Sequence, residues 1–130
     1  MKKRLLMSLA TLLFWGVSLL AQDVPEGVIA AFRKGSSQEL KAYLIEQVEL
    51  MMDSRKVCSE REATLTKLGD FFAHNKVQHF DMNHQGKRGE SSFVIGTLTT
   101  ANGKYRVNCY FKRLNDTYIV HQIRIDKTNG

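Results

Sequence analysis

From Val77 to Asp126 apolar and polar residues alternate with a period of two, and no stretch holds the 3.6-residue spacing of a helix. This half of the chain can only be sheet. Four segments carry the alternation: Val77 to His84, Phe93 to Thr100, Lys104 to Arg113 and Tyr118 to Asp126. The breaks between them are short. Gln85 to Ser91 reads as a polar loop with two glycines and the basic pair Lys87-Arg88. Asn102-Gly103 predicts a type I′ hairpin turn, because that turn needs positive φ at both central residues. Leu114 to Asp116 reads as a third turn, and the tail from Lys127 as frayed. Strands joined this tightly run antiparallel.

The first half mixes periods. Asp23 can cap a helix, with Pro25 in its first turn and Val28, Ile29 and Phe32 on one face. Gly35 stops it after Arg33 and Lys34. Ser36 and Glu39 form a capping-box pattern for a short helix that turns Leu40, Tyr43 and Leu44 inward. Val48, Leu50 and Met52 then alternate with Gln47, Glu49 and Met51, which predicts a half-buried strand. Asp53-Ser54-Arg55 is a turn, and Lys56-Val57-Cys58 a short return strand. Ser59 and Glu62 repeat the capping box ahead of a helix carrying Leu65, Leu68, Phe71 and Phe72. The economical architecture is α+β, with three helices packed on one face of a strongly curved antiparallel sheet.

The N-terminus is read apart from this domain. Lys2, Lys3 and Arg4 precede an uncharged, almost wholly apolar run from Leu5 to Leu20, and small Ala21 follows. That is the layout of a cleavable signal peptide. The run is short for a bilayer core, which wants about 20 residues, so a retained anchor is the weaker reading. The expected organisation is a signal peptide over 1–21 and one domain over 22–130, exported to the periplasm or secreted, with no stable membrane anchor after cleavage. Losing the three signal cations lowers the formal charge from +6 to +3, which removes the argument for nucleic acid. Cys58 and Cys109 match no metal spacing. An oxidising compartment would let them pair, whereas two buried free thiols are the simpler reading.

This order of elements resembles the nuclear transport factor 2-like, or cystatin-like, superfamily. Within it the chain resembles a family of small exported bacterial domains of unknown function. The residues carrying the resemblance are the run from Pro25 to Gly35, then Asp70-Phe71-Phe72, His84-Gln85-Gly86, Ile95-Gly96-Thr97-Leu98, Tyr105-Arg106-Val107 and Gln122-Ile123-Arg124-Ile125. The resemblance implies helices leaning on a bent sheet around a cone-shaped cavity. It implies no activity, because that fold hosts isomerases, dehydratases and pure binding modules.

His79 and His84 lie an odd number apart on one strand and so point to opposite faces unless the strand bulges between them. His74 ends a helix, where partial positive charge is favourable. No metal or other cofactor is expected. On the last strand Ile119, His121, Ile123 and Ile125 share one face, and Val120, Gln122 and Arg124 the other. His121 is therefore expected among core isoleucines or in the cone. Tyr105 shares a face with Val107, Cys109 and Phe111, and with His121 it is the candidate ligand-binding pair. Glu49, Asp81 and Asp126 are not placed to be buried bases, and no serine or cysteine has the context of a nucleophile. No catalytic residue is assigned.

Lys104, Arg106, Asn108, Tyr110 and Lys112 form the opposite face of the third strand, and Arg124 that of the fourth. Solvation accounts for such a face, but Arg106, Tyr110 and Arg124 are interface-type residues. They are the candidate contact to a protein or an anionic glycan, a second copy of the chain being the first version to test. Asn115-Asp116-Thr117 is read as a turn rather than a glycosylation site.

Two functions remain. One is a non-catalytic binding or protein-interaction module. The other is a small-molecule carrier or enzyme that takes a small apolar ligand into the cone. A cone filled by Phe32, Phe72 and Phe111 favours the first.

Overall fold

The computed structural model describes residues 24–128. The expected signal peptide and its cleavage point lie outside the described residues, as does the expected cap Asp23. Three α-helices, α1 (Glu26–Lys34), α2 (Ser37–Leu40) and α3 (Arg61–His74), accompany six strands. These are β1 (Leu44–Met52), β2 (Arg55–Cys58), β3 (Val77–Arg88), β4 (Ser91–Thr100), β5 (Gly103–Leu114) and β6 (Thr117–Lys127). The sheet order is β2-β1-β6-β5-β4-β3.

Local chemistry accounts for most of the helix ends. Pro25, in an extended conformation, is the N-cap of α1, so the helix starts two residues later than a cap at Asp23 predicts. Gly35 adopts φ 66° at its C-terminus, and the Ser36 amide returns to the Ala31 carbonyl at 2.9 Å. The Ser36 hydroxyl accepts from the Glu39 amide at 3.3 Å, the predicted half of the capping box. The Glu39 carboxylate instead accepts from Lys34 at 3.2 Å. The second box does not form. Glu60, not Ser59, is the N-cap of α3, without a side-chain cap, and the Arg61 guanidinium donates to the Lys41 carbonyl at 2.8 Å.

Four elements of the sheet differ from expectation. The all-antiparallel sheet is corrected to a mixed one, because β1 runs parallel to β6 while the other pairs are antiparallel. β1 also begins at Leu44, with a register break before Glu49. The expected loop from Gln85 to Ser91 is ladder: Gln85, Gly86, Lys87 and Arg88 pair with Val94, Phe93, Ser92 and Ser91. Only Gly89 and Glu90 turn, and Gly89 takes φ 58°. The hairpin at Asn102-Gly103 is shifted, since Thr100 pairs with Gly103 across a turn of Ala101 and Asn102. The Thr100 hydroxyl holds this turn, accepting from the Asn102 amide at 3.1 Å and donating to the Gly103 carbonyl at 2.8 Å. The tail is ordered further than predicted, with the Lys127 amide on the Asp53 carboxylate at 3.2 Å.

All three helices lie on one face of the sheet, α1 against β3 and α3 against β1. The core between the layers takes Val28, Ile29 and Phe32 from α1, Leu65, Leu68 and Phe72 from α3, and the inward strand residues Val48, Leu50, Val94, Leu98, Val107 and Phe111. Phe32 is fully buried, with its ring centroid 5.3 Å from Phe80 and 6.3 Å, edge-on, from Phe72. Aromatic rings thus occupy the space between helices and sheet. Both cysteines are free thiols, with Cys109 in the core and Cys58 3.4 Å from the Thr64 hydroxyl.

Candidate functional site

The face of the sheet away from the helices is built in rows by the strand register. One row runs Glu49, Gln122, Tyr110, Phe93, Gly86 across β1, β6, β5, β4 and β3. The row toward the β3–β4 turn is Arg88, Ser91, Lys112 and Ile119. On the other side lie His84, Ile95, Asn108, Arg124 and Met51, and beyond them Arg106 stands opposite Asp126.

A bulge puts His121 on this face. Tyr110 pairs with Gln122, but Phe111 pairs with Val120, so His121 is the extra residue of β6. Val120, expected on the outer face with Gln122 and Arg124, is instead buried in the core, and Ile119 pairs with Lys112 on the outer face, so the predicted alternation breaks there. The His121 ring lies 6.4 Å from that of Tyr110. The expectation that His121 joins the isoleucines of the core face is therefore corrected. Burial lowers its pKa first, the Lys112 ammonium lowers it further, and Glu49 partly opposes them. The Glu49 carboxylate accepts from Gln122 at 3.1 Å.

Tyr105 stays on the helix side. Its ring packs edge-on against Phe71 at 5.0 Å, and its hydroxyl donates to the Asn75 side-chain oxygen at 3.1 Å. Asn102 donates to the same oxygen at 3.3 Å and also to the His74 carbonyl, which ties the end of α3 to the β4–β5 turn. Tyr105 and His121 thus lie on opposite faces of the sheet, and the expected ligand-binding pair does not meet.

Arg106, Tyr110 and Arg124 do share the outer face on adjacent strands, joined through the turn at Asn115 and Asp116. Arg106 is exposed, while Tyr110 and Arg124 are half-buried. Arg124 lies 3.7 Å from Asp126, and the Tyr110 hydroxyl accepts from Asn108 at 3.3 Å.

A groove of about 480 Å³ opens at the hairpin end of this face, lined by Arg88, Ser91, Phe93, Tyr110 and His121 among others. Phe93 was missed as a site residue, because Ser92, Val94 and Leu98 compete with Phe93 and Ile95 for the apolar side of β4. Gly86 explains its posture. A Cβ there would come within 2.6 Å of the Phe93 ring, so the ring lies over the β3 backbone.

The histidine geometry carries one surprise. The bulge between Met82 and His84 places His79 and His84 opposite Thr99 and Ile95, on the same outer face. Even so, among the described residues no three His, Cys, Asp or Glu come together to hold a metal. Burial pushes the Cys109 thiol far up, which removes it as a nucleophile.

The family model for a domain of unknown function, DUF4783, matches residues 25–126. Among curated proteins, none matches the chain. The crystal structure of a DUF4783 family protein from Bacteroides ovatus is 50% identical, with a TM-score of 0.81 over 85% of this chain and 100% of that one. A DUF4783 family protein from Bacteroides fragilis is 54% identical, with a TM-score of 0.78 over 82% of this chain and 100% of that one. A designed nuclear transport factor 2-like protein with a long sheet is 12% identical, with a TM-score of 0.64 over 77% of this chain and 94% of that one. This likeness shows that the two chains share a fold.

Proposed function

The chain belongs to the DUF4783 family, and from that premise we propose that it is a non-catalytic binding module of the periplasm or cell surface, working through the outer face of its sheet. The carrying observation is the division of labour between the two faces. Phe32, Phe72, Phe80 and Phe111 fill the side where a carrier or small-molecule enzyme of this fold would hold its ligand. Bulges in β3 and β6 support a sheet that bends around this filled layer. The outer face instead gathers Tyr110, His121, Phe93 and Arg106, residue types that carry binding energy at protein surfaces. The layout of the first 21 residues supports export.

A second copy of the chain is the first partner to test. The triple variant Arg106→Glu, Tyr110→Ala, Arg124→Glu changes outer-face residues only, so circular dichroism should match the wild type. Sedimentation velocity should show association of the wild type that the variant loses. A wild type that stays monomeric and holds no ligand lost by the variant refutes the reading.

A further inference from the structure

Resting on that reading of the outer face, we propose that the groove at its hairpin end binds a small organic anion with a flat apolar body, such as an aryl carboxylate. The register supplies both halves of such a site. Arg88, Ser91 and Lys112 stand side by side on β3, β4 and β5. Strands are spaced by about 4.8 Å, so the backbones of Arg88 and Lys112 stand about 10 Å apart with Ser91 between them. Arg88 and Ser91 line the groove, and the long Lys112 side chain starts beside it. Two residues along the strands, about 7 Å away, Phe93 and Tyr110 form an aromatic floor with His121 beside it.

Three features select this ligand. No carboxylate lines the groove, although Glu49 lies near enough to act on His121 at its edge. Its volume of about 480 Å³ lies in the range that takes a small molecule. Phe93 leans over Gly86 toward β3, with the His84 ring 5.5 Å away, and lines the groove together with the Tyr110 ring, which gives a flat partner aromatic surface to pack on. The charge pattern also argues against a polyanion. Arg106 stands opposite Asp126 and Arg124 lies 3.7 Å from it, so the cationic stripe ends within one row of the groove.

The test is a titration of ¹⁵N-labelled wild-type protein, followed by amide shifts, with three probes: 2-naphthoate, the uncharged 2-naphthylmethanol and acetate. Naphthoate should shift the amides of Ser91, Phe93, Tyr110 and His121 saturably. The alcohol and acetate should each bind at least roughly tenfold more weakly, the scale of one charge-assisted hydrogen bond or of the lost ring contact. The double variant Arg88→Ala, Lys112→Ala changes two exposed side chains and should weaken naphthoate by the same factor while leaving the alcohol unchanged. Equal binding of acid and alcohol overturns the proposal, as does naphthoate that leaves these four amides still. In the second case, a wild type that nevertheless associates through the face disrupted by the triple variant shows that the ligand class is wrong while the reading of the face stands. Shifts centred on Phe32 and Phe72 overturn both, because they would mean that the helix side is open.

Discussion

Phe32→Ala tests the filled interior, on which the functional reading depends. The ring is 0% exposed and touches Phe72 edge-on at 6.3 Å and Phe80 at 5.3 Å. Deleting a buried phenyl ring costs about 3–5 kcal/mol, and an aromatic pair contributes about 0.5–1.5 kcal/mol beyond its area. Two lost ring pairs place Phe32→Ala toward the top of the range, at about 4–5 kcal/mol. A domain of this size holds about 5–15 kcal/mol in all, so the variant should fold with little to spare. Urea unfolding followed by circular dichroism measures the change. With a slope of about 1.5 kcal/mol per molar, the midpoint should fall by about 3 M. Phe72, slightly exposed and at the edge of the same cluster, should cost about 3 kcal/mol on truncation, and the half-buried Phe71 less. The variant should also open a dry cavity that takes up benzene, while the wild type takes up none. A Phe32→Ala cost below about 1.5 kcal/mol, or benzene uptake by the wild type, refutes the argument that rings close the interior.

His121 should titrate below the ordinary imidazole value in an NMR pH series, and Lys112→Ala should move it up while Glu49→Gln moves it down. A depressed histidine pKa means that the unfolded chain binds the proton more readily, so this contribution to stability is present above the unfolded pKa of about 6.5 and is lost as pH falls through the folded value; His121→Asn should flatten that slope in urea midpoints. Tyr105→Phe should cost about 1 kcal/mol through the lost hydrogen bond to Asn75, and it should leave naphthoate binding unchanged, because Tyr105 lies on the helix side. The exported protein should begin near Gln22, read by mass spectrometry; a mature species that retains Leu5 to Leu20 refutes the cleavage.

The sequence by itself determined the order of helices and strands, the helix-facing side of most strands and the presence of a short connection between successive strands of β3 to β6. These depend on local chemistry: a period of two at Val107, Cys109 and Phe111, a glycine after Lys34, a serine hydroxyl at Ser36. The Tyr110 side of β5 was equally legible, since no irregularity interrupts the alternation there. Tertiary structure decided what depends on pairing between distant segments. Nothing local tells β1 to run parallel to β6, because Val48 and Leu50 can join the core in either strand direction. Nor does local pattern reveal a bulge. One unpaired residue at His121 reverses the face of everything before it on β6, and so separates His121 from Tyr105 and delivers it to Tyr110. The same limit hid the extension of β3 through Gly86, whose missing side chain reads as loop in one dimension. In the folded sheet it is the space that receives the Phe93 ring.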